Sequence, residues 1–451
     1  MRVLLVNPPS AGVFAAFGMS LPPMGILYLA ASLEQAGHEA IVVDLQVEQR
    51  HRFTDEVRRA DLVGISSDTT RIEKALALAR VAAAQGKPVV MGGPHPQFVA
   101  EEVLAERTVT AIVRGEGEHT LVALAGCLER RDELGSVAGI IYHDGERLAI
   151  TPDGPLPEVA KLPLPARHLV DLRAYRASVA DRPCTPLVTS RGCPSRCSFC
   201  SSASFFGVGW RARSPESILA ELEVVYTRFG YRAVAFTDDN FTLDPRRTIA
   251  IADGIQERGW DLRWWNFSRV DSIVRYPEMV AAMARAGSAM VYLGIESGST
   301  ETLDQLGKNS RTGDAASAVK LLAEHGIESY GSYIIGSMNE GRKDIEQTIE
   351  TARTLDTNIA QFSILTPYPG TPLYEKMAGL ITTRRWKRYD GIHLVFRHPR
   401  INYHLLHFLL IKAYVRFYRR SERARSGFAA ASRRQGVSIR TVAAGIREIF
   451  F

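Results

Sequence analysis

With 451 residues, 46% of them hydrophobic and 23% charged, the chain has the composition of a folded globular protein and the length for two or three cores. No apolar run reaches the length of a bilayer span, and Met1–Pro9 lacks the basic opening and cleavage site of a secretory leader, so a cytoplasmic protein is expected. The formal charge of +6 is uneven: residues 397–451 hold twelve Lys/Arg against Glu422 and Glu448, about +10, which leaves the rest slightly acidic and excludes a chain-wide nucleic-acid surface.

Residues 1–125 alternate short apolar strands with helical runs. The strands are Val3–Asn7, Ala40–Asp44, Leu62–Ser66, Pro88–Gly92 and Ala111–Arg114, and helices begin near Met24, Thr54, Ile72, Val99 and Thr120. Five such pairs predict an α/β, doubly wound, Rossmann-like parallel sheet. Ligands of such sheets lie at the carboxyl ends of the strands. Those ends read Asn7-Pro8-Pro9, Ser66-Ser67-Asp68-Thr69, Gly92-Gly93-Pro94-His95 and Gly115-Glu116-Gly117-Glu118, small residues that admit a large planar ligand close to backbone. Neither a glycine-rich dinucleotide fingerprint nor a phosphate-binding loop follows the first strand. The bland alternative is a domain of this fold that binds nothing.

Residues 126–182 read as a connection: a hairpin about Asp144-Gly145, then a stiff linker punctuated by Pro152, Pro155, Pro157, Pro163 and Pro165. Six further strand–helix units occupy 183–373, with strands at Leu187–Thr189, Ala233–Thr237, Arg263–Ser268, Met290–Gly294, Glu328–Gly336 and Gln361–Leu365. Units of this kind predict a complete or partial TIM-like barrel whose chemistry gathers at the strand carboxyl ends.

The loop after the first barrel strand holds Cys193, Cys197 and Cys200, three of the chain's five cysteines. Thiolates suit iron–sulfur clusters or zinc, but a closed zinc site or a fully ligated four-iron cluster needs a fourth donor that this stretch lacks. One iron is then left open. The alternative is a helical stripe of small buried thiols, which the neighbouring Arg, Ser and Pro disfavour. Cys127 and Cys184 read as structural thiols, with Cys184 a distant candidate for a fourth ligand.

The cysteine spacing, with Phe199 before the last cysteine, resembles the radical S-adenosylmethionine (radical SAM) superfamily. The strand-end turns of the first domain, with Pro22–Gly25, resemble the cobalamin-binding domain of that superfamily's cobalamin-dependent class, and the resemblance taken whole covers about Arg2 to Arg420. The resemblance implies a cobalamin-binding Rossmann-like domain, a partial (β/α)6 radical SAM barrel and a helical C-terminal extension. It implies a [4Fe-4S] cluster on Cys193, Cys197 and Cys200, with S-adenosylmethionine at the open iron. Cobalamin would lie against Pro9, Ser66, Ser67, Asp68, Thr69, Gly92, Gly93, Pro94, Gly115, Glu116, Gly117 and Glu118. His95 is a candidate cobalt ligand, weighed against a backbone-capping role. Around the cosubstrate would stand Phe199, then Thr237, Asp238 and Asp239 for its ammonium, and Arg269 for its carboxylate. Glu296 and Ser297 would serve the ribose, and Ile335-Gly336 the adenine. Tyr368 would face substrate, and Trp265 either faces it or, the reading its type favours, packs in the core. Structurally, Asp238 and Asp239 are equally turn caps, Arg269 pairs readily with Asp271, and a buried Glu296 demands a ligand or an internal arginine.

The class contains radical methyltransferases acting on unactivated carbon and the anaerobic magnesium-protoporphyrin ester cyclase. A C-methyltransferase is therefore expected. The alternatives are a cobalamin-assisted cyclase or rearrangement enzyme, a methylase that never makes the radical, and, from another class, a zinc or iron–sulfur sensor. The implied partners are a lipid-like, tetrapyrrole or natural-product small molecule and an electron donor such as flavodoxin or ferredoxin, with no nucleic acid. Residues 374–451 read as a basic, mostly helical extension. Its amphipathic segment Asn402–Arg420 either docks on the barrel or rests peripherally on an anionic membrane surface.

Overall fold

The computed structural model describes residues 1–10, 20–308 and 312–420. Strands β1 (Arg2–Asn7), β2 (Glu39–Asp44), β3 (Leu62–Ser66), β4 (Val89–Gly92) and β5 (Ala111–Val113) pair in parallel in the order β2-β1-β3-β4-β5. Residues Val3–Asn7 are all buried, as expected of a strand covered on both faces. Helices Met24–Gln35 and Glu118–Arg130 cover one face; Arg50–Arg59 and Ile72–Ala83 cover the other. The strand order reverses between β1 and β3, which opens a crevice at their carboxyl ends. The hairpin about Gly145 forms as β6 (Ile140–Asp144) and β7 (Arg147–Ile150). It extends this sheet antiparallel to β5, so the chain stays with the first sheet as far as Ile150.

The second sheet is an open half-barrel. A short strand β8 (Ser178–Val179) lies antiparallel on β9 (Arg182–Leu187). Beyond the small pair β10 (Ser190–Arg191) and β11 (Arg211–Ala212) come β12 (Ala233–Phe236), β13 (Arg263–Arg269), β14 (Ser288–Glu296), β15 (Glu328–Ile335) and β16 (Ile359–Ile364). The order is β16-β15-β14-β13-β12-β9-β8, parallel from β9 to β16. The first barrel strand thus ends where the sequence placed its start. Leu187 pairs with Phe236, and Thr189 beyond it is pulled out of the ladder by the Asp238 side chain. Alternate residues of β13 to β15, among them Trp264, Val291, Leu293 and Tyr333, are buried under the helices, while Trp265, Phe267, Tyr292 and Tyr330 form one connected row of rings on the opposite, concave face.

The two sheets share apolar packing. After β16 the chain returns across the first domain, and Leu373, Met377, Trp386, Tyr389 and Phe396 join one cluster with Leu4, Phe53, Ile72 and Met91. Trp386 also donates its ring N–H to Glu102 at 2.7 Å. A buried, largely hydrophobic junction of this kind holds the domains in one arrangement.

Helix Tyr403–Arg420 docks on the barrel, burying Leu406, Leu409, Leu410, Ala413 and Phe417. It also closes the open edge of the sheet. Tyr414 Oη accepts from the Phe362 N–H at 3.1 Å and donates to its carbonyl at 3.0 Å, and Tyr418 Oη does the same for Ala360 at 3.2 and 3.0 Å. Two side chains thereby satisfy outward backbone groups of β16 that would otherwise template pairing with another strand. Phe408 and Val415 remain exposed on the outer face. Residues 421–451, the rest of the expected extension, lie outside the described residues, and among those described no helix is long and apolar enough to cross a membrane. Removing both hydroxyls in a Tyr414→Phe/Tyr418→Phe variant should strand four backbone groups at a cost of about 1–3 kcal/mol each where burial holds, seen as a lowered thermal unfolding midpoint with unchanged far-ultraviolet circular dichroism.

Candidate functional site

The segment Gly192–Cys200 leaves β10 and leads into helix Ser201–Phe206 before returning as β11. Its course is fixed from four sides. Asp238, buried at the end of β12, accepts from Thr189 N–H at 2.6 Å and Ser190 Oγ at 2.8 Å, and also from the Thr189 hydroxyl. Ser198 N–H donates to Leu306 O at 3.0 Å, and Leu373 N–H donates to Ser198 O at 3.0 Å. Arg269, paired with Asp271 at 3.0 Å, donates to Ser195 Oγ at 3.1 Å.

All three cysteines of the loop are free thiols, Cys193 buried and Cys197 and Cys200 half-buried. Burial pushes the Cys197 and Cys200 thiols up. Against that, Lys308 and Arg269 pull Cys197 down, and the N–H groups of Ala203 and Ser202 pull Cys200 down. Two cations and a helix N-terminus thus face sulfurs that must ionise to hold metal. Among the described residues no three His, Cys, Asp or Glu side chains gather about a single ion. Three thiolates with no fourth donor in the loop are the set of a four-iron cluster with one open iron, each thiolate taking its own iron.

A cavity of about 410 Å³ opens between the first sheet and helix Ser201–Phe206, which follows this loop. Its walls run from Leu5, Gly64 and Val90 on the sheet, past Ser66, Gly92, Gly93, Pro94 and Gly115–Glu118 at the strand ends, to Ser201, Ser202, Phe205 and Phe206. Most of this surface is apolar carbon, and the Cβ position of Gly115 meets no atom within 4 Å, so backbone is open to a ligand there. An extended, mostly apolar cofactor with amide edges, such as cobalamin, suits this lining.

The same wall carries a buried ion network. Arg191, which ends β10, donates to Glu116 Oε2 and Glu118 Oε1, each at 2.6 Å, and Arg211, which begins β11, pairs with Glu116 from the other side. Side-chain exposure is 2% for Glu116, 4% for Glu118 and 6% for Arg191. A second buried set, Arg167–Glu221–Arg213, lies behind β9 and ties it through Arg167 to Pro186 O at 2.8 Å.

The sequence-derived residues sort accordingly. Around the cysteine loop the structure gathers Asp239, whose carboxylate accepts from Ser202 at 2.5 Å, together with Arg269 and Glu296. Thr237 is half-buried, with its hydroxyl on Leu187 O. Phe199 packs into the cluster containing Leu306 and Leu373. Other expectations are corrected. Asp238 has both oxygens engaged by Thr189 and Ser190 and positions the loop instead of meeting a cosubstrate. Ser297 is buried on Thr348. Ile335 turns its side chain into the outer core and the Cβ direction of Gly336 faces Leu406, so only their backbone is left for the expected adenine contact. Tyr368 packs in the apolar cluster between the domains.

In the first domain Ser66, Gly92, Gly93, Pro94 and Gly115–Glu118 line the cavity, while Pro9, Ser67, Asp68, Thr69 and His95 do not. Asp68 caps and pairs with Arg71 at 2.7 Å, and Ser67 turns back to Asp68 O. His95 is fully buried, bonded to Thr69 at 3.1 Å, and set edge-on to Trp386. Burial lowers its pKa to about 4, so the ring is neutral, and it packs off the cavity wall. Glu116 and Glu118 border the cavity but are committed to Arg191 and Arg211. Sequence reasoning missed Lys308, which pairs with Glu296 in place of the expected ligand or arginine. The available signal was the demand of a buried glutamate for a cation.

The B12 binding domain family matches residues 11–125, and the radical SAM superfamily matches 187–352. An uncharacterized methyltransferase of Pyrococcus horikoshii is 36% identical over 433 residues, covering 93% of each chain. The anaerobic magnesium-protoporphyrin IX monomethyl ester cyclase of Rubrivivax gelatinosus is 26% identical, covering 87% of this chain and 73% of the cyclase. Among solved structures, the radical S-adenosylmethionine methyltransferase TsrM from Kitasatospora setae, with cobalamin and a [4Fe-4S] cluster bound, shares the fold. It superposes with a TM-score of 0.72 at 21% identity over 85% of this chain and 79% of TsrM.

Because Arg191 spans the cavity wall, Arg191→Met should leave Glu118 without its cation and Glu116 with only Arg211, destabilising the protein by about 3–5 kcal/mol. Reconstituted protein should then retain less than half the wild-type ratio of cobalamin to protein through gel filtration, and Arg191→Lys should restore little, since one ammonium cannot serve two carboxylates in fixed directions.

Proposed function

Since the chain belongs to the radical SAM superfamily and carries its cobalamin-binding domain, we propose that it is a cobalamin-dependent radical SAM methyltransferase that methylates an unactivated carbon of a small organic molecule. The observation that carries this reading is the shared wall: one cavity reaches from the strand ends of the first sheet to helix Ser201–Phe206, which begins at Cys200. Cys193, Cys197 and Cys200 would hold the cluster, the cavity would hold cobalamin, and Asp239, Arg269, Glu296 and Lys308 would surround the cosubstrate. Together these groups supply, when bound, a one-electron route to hydrogen removal from carbon and a transferable methyl group.

The chain's own share is placement and exclusion of water. Asp238 and Leu306 hold the cysteine loop, and the Arg191 network holds the loop against the cavity. Arg269 and Lys308 offset the negative charge of a thiolate-bound cluster. No side chain is assigned as a general base, because a hydrogen on an unactivated carbon lies beyond the reach of any side-chain base. The concave row Trp265–Phe267–Tyr292–Tyr330, with Gln361 bonded to both tyrosine hydroxyls at 3.4 and 3.0 Å, supports an apolar substrate that carries few polar groups. We take residues 1–125 together with the β6–β7 hairpin as the first working domain, the rest of 126–182 as a connection, and 183–373 and 374–451 as the barrel and its extension, with a flavodoxin- or ferredoxin-like protein as the electron donor and the cytoplasm as the compartment, which suits five free thiols. A cyclase without methyl transfer is the second reading, favoured by the cyclase relative.

Protein reconstituted anaerobically with iron, sulfide and hydroxocobalamin should, with S-adenosylmethionine and a strong reductant, release 5′-deoxyadenosine, with S-adenosylhomocysteine as a second product. Cys197→Ala should reduce deoxyadenosine at least 100-fold. Deoxyadenosine without homocysteine once substrate is present would turn the reading to the cyclase, and unchanged cleavage by Cys197→Ala would overturn the site.

A further inference from the structure

Helix Tyr403–Arg420 carries apolar residues on two opposite faces. Leu406, Leu409, Leu410, Ala413 and Phe417 are buried against the barrel. On the outer side, at the spacing that lines one face of an α-helix, run His404, Phe408, Ile411, Val415 and Arg419. Phe408 and Val415 are 57% and 52% exposed. With Tyr403 and Tyr414 on the flank, this one helix holds four of the eight large apolar or aromatic side chains that stand exposed among the described residues. Single exposed apolar residues need no explanation, but a row of them opposite a face that is already packed contributes nothing to the core.

The charge around this face has one sign. From Gly391 to Ser421 the sequence holds six Lys/Arg and no Asp or Glu. Arg416 and Arg419, one and four residues after Val415, are exposed. Glu346 of the neighbouring helix Arg342–Leu355 is already held by Lys412 at 2.6 Å and by Arg342 at 3.2 Å, so its charge is compensated. Residues 421–451 add six Arg against Glu422 and Glu448. A nucleic acid would answer the arginines and leave Phe408 and Val415 without apolar contact. A second copy of the chain would cover Phe408 and Val415 and set positive charge against positive charge. An anionic lipid surface answers both, with phosphates for the arginines and an apolar boundary just beneath them.

We propose that the outer face of helix Tyr403–Arg420 is a peripheral docking surface for an anionic membrane, with Phe408 and Val415 entering the headgroup boundary and Arg416 and Arg419 pairing with lipid phosphates. The helix lies along the surface and does not cross it, in keeping with its length and charge. Its inner face stays on the barrel, and Tyr414 and Tyr418 keep their bonds to β16, so docking requires no unfolding. The surface uses no residue of the cysteine loop or of the cavity. It holds the protein beside the phase in which an apolar substrate dissolves; that last link rests on the substrate reading above, and the docking surface itself does not.

Flotation of the full-length protein with vesicles of phosphatidylcholine alone, or of phosphatidylcholine with about 30% phosphatidylglycerol, tests the surface. Wild-type protein should float with the anionic vesicles at about 0.1 M salt, stay behind with the zwitterionic ones, and lose most of its association at about 0.5 M salt. Phe408→Ser/Val415→Ser and Arg416→Glu/Arg419→Glu should each lower the partition coefficient about 10-fold and leave the thermal midpoint within about 2 °C of wild type, because all four side chains are exposed. Wild-type protein that ignores anionic vesicles would overturn the proposal. So would variants that bind like wild type, which would give the binding to residues outside this face, or association that neither salt nor headgroup charge alters. If sedimentation velocity shows instead a dimer that Phe408→Ser/Val415→Ser dissociates, with no vesicle binding, the face belongs to a second copy and the membrane reading fails. In each case the enzyme assignment stands.

Discussion

The contact on which the rest of the site depends is the buried network Arg191–Glu116–Arg211 with Glu118. Its two cations stand at the two ends of the cysteine segment, at the close of β10 and the start of β11. Its two anions belong to the turn after β5. The charges balance, each guanidinium is engaged by more than one acceptor, and Arg191, Glu116 and Glu118 are buried while Arg211 is 23% exposed. Buried ion pairs of this kind add little to net stability over apolar packing, but they punish misalignment, because any shift leaves a charge unsolvated. Here that intolerance fixes the position of the metal-binding loop relative to the cavity of the other domain.

The remaining architecture is consistent with a site that does not hinge. Trp386, Tyr389 and Phe396, from beyond the barrel, are buried among residues of the first sheet, so the domains share a core across the junction. Tyr414 and Tyr418 close the free edge of the half-barrel. The Glu296–Lys308 pair lies beside the cysteine loop, with Glu296 at a positive φ.

Much of this was legible in the sequence where the signal is local. The spacing of Cys193, Cys197 and Cys200 lies within eight residues, and the alternation of strands and helices is carried by side-chain periodicity, so the cysteine loop and the plan of both sheets could be read directly, though not the start of the first barrel strand. The roles of single polar residues could not. Asp238 looks like a ligand-binding acid until its donors, 48 and 49 residues earlier in the chain, are known. Glu116 is claimed by an arginine 75 residues away, and His95 by a tryptophan from the far side of the barrel. A strand end tells where a side chain sits, but not whether another part of the fold already satisfies it. Lys308 was missed for the converse reason: a lysine after a short helix reads as solvated, and only burial shows otherwise.

The most direct test of the central claim, that one wall joins the cluster loop to the cobalamin cavity, is electron paramagnetic resonance of protein carrying both cofactors, with cobalt as Co(II) and the cluster reduced. The geometry predicts that the two spins interact, so that each signal is broadened or split relative to protein loaded with one cofactor, and relaxes faster. Two unperturbed, additive signals at full occupancy would contradict it, because the cofactors would then occupy sites that do not share the cavity beside Cys200.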